Sequence, residues 1–103
     1  MNQQILENIR QLKRQLVPNE RLILFGSQAR GDARPDSDWD LLLLLNKSKK
    51  EFEDEDIYGY PFAEMGLKYG TYLSVKIFTK NDWEKMPPSL FRCNIEKEGI
   101  EIK

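Results

Sequence analysis

The sequence predicts one α/β domain, a mixed sheet of three or four strands packed with helices. Two observations carry that expectation. Ile5, Leu6, Ile9, Leu12 and Leu16 recur at helical spacing, whereas residues 21–25 and 41–45 are short, largely apolar runs of strand length. The 103 residues, 40% apolar and 32% charged, also suit a single soluble core and contain no repeat or linker that would divide residues 1–103.

The elements follow in order. Residues 3–16 form an amphipathic helix that Pro18 and Asn19 end. Residues 21–25 are a buried strand stopping at Gly26, and residues 27–31 have room for one helical turn. Residues 32–37, with Pro35 among Asp and Ser neighbours, are loop. Residues 38–45 make the second strand, whose leucine run requires burial on both faces.

The charged residues 49–56 read as a solvated helix or loop. Pro61 opens a helix to about Tyr69, which Gly70 closes. Residues 71–79, β-branched and aromatic, are the third strand. Thr79 or Asn81 caps a short helix through Trp83 to Met86, ended by Pro87 and Pro88. Residues 89–97 form the last helix, with Leu90, Phe91, Asn94 and Ile95 on one face. Gly99 stops it, and residues 100–102 add an edge strand. Trp83, Phe91 and Ile95 are expected to close the core, and the four tyrosines to serve packing.

Composition narrows the chemistry. With no histidine, general-base proposals fall to other groups and a structural zinc site is disfavoured. The single Cys93 forms no internal disulfide, reads as a small buried or half-buried residue, and agrees with a reducing compartment. A formal charge of −1 lacks the footprint of a strong nucleic-acid binder. No apolar run is long enough for a membrane span, and the N-terminus lacks a signal-peptide layout, so a cytoplasmic location is expected.

The informative segment is residues 22–42. A strand delivers Gly26 and Ser27 to a loop that begins a helical turn, where glycine permits close approach and free N–H groups attract phosphate oxygens. Asp38 and Asp40 head the second strand at alternate positions, so both project from one face and can converge on a divalent ion. Trp39, between them, points to the opposite face and reads as core. Two acids beside so apolar a strand call for a compensating cation, and a cavity joining them to Ser27 is expected.

Gly26-Ser27, ten intervening residues and Asp38-x-Asp40 resemble the signature of minimal nucleotidyltransferases in the DNA polymerase β superfamily, of the antitoxin type. The continuation Gln28-Ala29-Arg30-Gly31 and the lead-in Pro35-Asp36-Ser37 are similar too. The resemblance implies a nucleotidyltransferase fold that moves a nucleoside monophosphate, AMP from ATP, to a hydroxyl. It implies Asp38 and Asp40 as catalytic magnesium ligands, with room for a two-ion site. Gly26 and Ser27 would then hold phosphates. Arg30 is the nearby cation for the triphosphate or, alternatively, a surface ion-pair partner. The resemblance further implies a protein partner, a helical toxin of the HEPN type modified on a tyrosine. One departure stands out. Where the family carries a third acid on a neighbouring strand, this chain offers Ser74 or Lys76. That substitution motivates an alternative: a nucleotide-binding but transfer-deficient subunit that acts by covering its partner.

Overall fold

In the computed structural model, which describes residues 1–103, a four-stranded sheet is sandwiched between two helical layers. The first helix, α1 (Gln3–Leu16), begins where the Asn2 side chain accepts the Ile5 N–H at 3.1 Å. Its apolar stripe, Ile5, Leu6 and Ile9, is buried. Strands β1 (Arg21–Phe25), β2 (Trp39–Leu45), β3 (Leu73–Thr79) and β4 (Ile100–Ile102) lie in the order β3-β2-β1-β4. β1 pairs antiparallel with both β2 and β4, while β2 and β3 are parallel.

A parallel pair needs a crossover. Here a π-helical turn, Glu55–Gly59, runs directly into α3 (Tyr60–Lys68) and returns the chain to the sheet. α2 (Ser27–Arg30) is the single turn between β1 and β2. Two further helices, α4 (Lys80–Lys85) and α5 (Leu90–Glu98), precede the edge strand.

The central strand β2 sorts the core. Leu41, Leu43 and Leu45 pack with Ile9 and Phe62 on one face, and Leu42 and Leu44 pack with Trp83 and Ile95 on the other. All five leucines are at most 2% exposed, so the run is buried on both faces as expected.

The structure also corrects the sequence reading. The second and third strands start at Trp39 and Leu73, slightly later than expected. Thr79, not Asn81, caps α4, accepting the Asp82 N–H at 3.0 Å. The charged run is not solvated throughout, because Asp54 is buried and held by Lys47 Nζ (3.1 and 3.2 Å) and the Glu51 N–H (2.6 Å). Of the four residues expected on one face of α5, Phe91 and Ile95 turn inward, while Leu90, 82% exposed, and Asn94 face out. A nine-residue helix at the rim of the sheet has too little surface to bury more. Cys93 lies on the same outward side and is exposed. Tyr60, Tyr69 and Tyr72 are likewise exposed rather than packed.

Candidate active site

Backbone geometry at the end of β1 builds the site. Phe25 stands opposite Asp40 in the β1–β2 register. The next residue, Gly26, has φ +77°, a conformation that L side chains avoid. A Cβ on Gly26 would fall onto Asp40 Oδ2, so the glycine and the acid occupy complementary space. Ser27 then opens α2, which Gly31 (φ +84°) closes by donating its N–H to the Ser27 carbonyl at 3.0 Å.

The loop to the acids is tied at several points. Buried Gln28 donates through Nε2 to the Ser37 carbonyl at 3.3 Å. The Ser37 N–H reaches the Arg34 carbonyl at 2.9 Å, and Ser37 Oγ accepts the Arg34 N–H at 2.8 Å. The Trp39 N–H donates to the Tyr72 carbonyl at 2.9 Å, extending the β2–β3 pairing one step toward Asp38. Trp39 is 2% exposed on the α1 and α3 face, the core position expected of it.

Strand alternation puts Asp38 and Asp40 on the opposite face, with Leu42 and Leu44. Asp38 is exposed just before β2, and Asp40 is half-buried within it. Ser74 pairs with Asp40 across the parallel ladder, and Lys76 pairs with Leu42. Both residues at the departing third-acid position therefore stand on the acid face, Ser74 abreast of Asp40 and Lys76 one pair further along. No group of three His, Cys, Asp or Glu side chains gathers anywhere in the chain.

Charge distribution matches the arrangement. Burial pushes the Asp40 carboxyl up from its ordinary range and the Asp38 charge adds to this, while Lys76 and Arg30 oppose it. No protein hydrogen bond contributes to stabilising its charged form. Arg30 is engaged as an ion-pair partner, with Nη1 on Glu98 Oε2 (3.1 Å) and Nε on Asp32 Oδ2 (3.3 Å). Its field nevertheless reaches Asp40. Two carboxylates on one face, one of them poorly compensated, make the hard oxygen donor set that suits magnesium.

The expected cavity joining Ser27 to the acids is not formed. The largest recess, about 410 Å³, lies on the other side of the loop against Gln28, Pro35, Trp39 and Tyr69. Neither acid lines it, nor the four next recesses. The acid face is an open surface. α4 and α5 cover the sheet at Leu42 and Leu44, and the apolar cluster reaches no further toward the acids than Phe25.

Two contacts escaped the sequence reading. Gln28 has no apolar pattern to announce its burial, and the Arg30–Glu98 pair joins residues 68 apart. The Gly26–Asp40 fit had a partial signal, a glycine directly after a strand.

A glycine turn backed by an acid of the adjacent strand, on this sheet order, is the architecture of a nucleotidyltransferase domain. The model of the nucleotidyltransferase domain family matches residues 4–101, and the chain belongs to that family. A Methanocaldococcus jannaschii relative, "Putative protein adenylyltransferase MJ0141", is 30% identical, the alignment covering 96% of this chain and 99% of that protein. A solved toxin-antitoxin with AMP-PNP superposes at TM-score 0.64 with 18% identity, covering 95% of this chain and 72% of the other. A mutant form of the toxin-antitoxin MntA-HpeT superposes at TM-score 0.62 with 14% identity, covering 100% and 73%. At such identities the two solved structures show the fold alone.

Proposed function

We propose that this nucleotidyltransferase domain transfers AMP from ATP, with magnesium, to a hydroxyl of a protein partner. The observation that carries the reading is the fit of Gly26 against Asp40, with Asp38 on the same face. In the proposed site, Gly26 and Ser27 hold the phosphates and Asp38 and Asp40 hold the ion. Magnesium, when bound, supplies positive charge to the triphosphate oxygens. The acceptor oxygen bonds to the α-phosphorus as the bond to the β-phosphate oxygen breaks, pyrophosphate leaves, and the hydroxyl proton passes to solvent. Arg30 is proposed to assist by its field, and by direct contact where the triphosphate displaces Glu98 or Asp32.

The open acid face favours a macromolecular acceptor, since a second surface must help to exclude water from the transfer. The M. jannaschii relative supports a protein acceptor, and the toxin-antitoxin neighbours are consistent with a protein partner. A helical HEPN-type toxin modified on a tyrosine is the proposed partner, and the cytoplasm the proposed setting. No helix of the chain is long and apolar enough to cross a membrane. A second reading, a nucleotide-binding but transfer-deficient subunit that covers its partner, is favoured by Ser74 and Lys76 standing where an acid is expected. Intact-mass measurement of the co-purified partner after incubation with ATP and magnesium separates the two. A nucleotide-sized gain that Asp38→Asn abolishes supports transfer. Inhibition of the partner without mass gain, unchanged by that substitution, supports the covering subunit.

A further inference from the structure

The acid face carries an exposed lysine whose charge reaches Asp40. Lys76 stands in the middle of β3, paired with Leu42 and two positions beyond Ser74, which faces Asp40. The flanking residues fix its direction. Val75 and Ile77 enter the core on the α1 and α3 side, whereas Phe78 packs on the α4 and α5 side, the side of the acids. The Lys76 side chain is exposed, and none of the seven ion pairs of the structure includes it. Its charge acts instead on Asp40.

We propose that Lys76 is a built-in cation of this site, taking the place of one of two divalent ions, so that the triphosphate is held with a single magnesium. The proposal rests on the nucleotidyltransferase reading. Charge counting supports it. Three carboxylates with two divalent ions leave one net positive charge toward the triphosphate. Two carboxylates, one divalent ion and one ammonium leave the same. A second ion would need further protein oxygens, and no third acid gathers with Asp38 and Asp40. An ammonium on a flexible stem requires none, acting as a compact point charge.

Manganese binding, counted by electron paramagnetic resonance with a non-hydrolysable ATP analogue, tests this independently of transfer. One tightly bound ion per chain is expected in the wild type and two in Lys76→Asp. Lys76→Met is expected to weaken the analogue about tenfold or more at fixed manganese, with the chain still folded by circular dichroism. Two ions in the wild type, one ion in Lys76→Asp, or unchanged affinity in Lys76→Met overturns the proposal while leaving the nucleotidyltransferase reading intact. No binding of the analogue to the wild type with manganese overturns both.

Discussion

The carboxylate of Asp40 fills the space that any side chain on residue 26 would occupy. Glycine there meets two demands at once, a positive φ and room for an acid of the neighbouring strand. Gly26→Ala is expected to lower stability by roughly 1–3 kcal/mol and to displace the Asp40 carboxylate. Combined with Asp40→Ala, its effect should be smaller than the sum of the two, because the collision disappears while the backbone strain remains. Urea melts of the two single variants and the double variant measure the coupling.

Asp40 sits in its place at the expense of stability. Its folded-state pKa is raised from the ordinary 3.8, first by burial and then by Asp38. Well below that range the group is protonated folded and unfolded, and contributes nothing. As pH rises through it, the folded chain releases its proton later than the unfolded one, so stability falls and stays lower above the raised value. Asp40→Asn, measured without added metal, is therefore expected to raise the melting temperature at neutral pH and to flatten this part of the pH profile. The same variant should lose about a hundredfold or more in transfer rate.

Asp54 behaves oppositely. Burial alone would push its carboxyl up, but the Glu51 N–H and the Lys47 ammonium hold it below the ordinary range. Its contribution is present at neutral pH and lost as pH falls through the depressed folded value. Asp54→Ala should lower stability by about 1–3 kcal/mol, since the Glu51 N–H loses its acceptor at the start of the crossover. Denaturant midpoints at pH 7 and pH 3 should differ less in the variant than in the wild type.

Gly66 in α3 separates helix propensity from packing. Alanine is the better helix former by about 1 kcal/mol. Here, however, a Cβ would stand 2.6 Å from Leu73 Cδ1 and 3.1 Å from the Thr71 carbonyl oxygen. Backbone cannot yield as a side-chain end can, so Gly66→Ala should destabilise by about 1–3 kcal/mol despite the propensity gain. Thermal melting decides between the signs.

Much of the fold could be read from periodicity. The α1 stripe and the leucine run of β2 placed helix and central strand, because each pattern has one burial solution in a two-layered core. The alternation of Asp38, Trp39 and Asp40 likewise placed both acids on one face. Residues 49–56 were opaque: a charge run looks the same whether all its members face water or one, Asp54, turns inward to a lysine seven positions away. In α5, helical spacing put Leu90 and Asn94 on one face with Phe91 and Ile95, though only the surface available on the sheet decides which residues of that face are covered. The Arg30–Glu98 pair was illegible for a third reason, since tertiary folding alone brings α2 to α5. Even the expected cavity failed on a property of shape, how far α4 and α5 extend over the sheet, which residue order does not encode.

The whole reading depends on Asp38 and Asp40 binding ATP through magnesium beside the Gly26 turn. Calorimetric titration of ATP into the chain, with magnesium and with chelator, against the double variant Asp38→Asn/Asp40→Asn, measures this most directly. Binding that requires magnesium and weakens about a hundredfold or more in the double variant is the expected result. Equal affinity with and without the ion, or in wild type and variant alike, would contradict it.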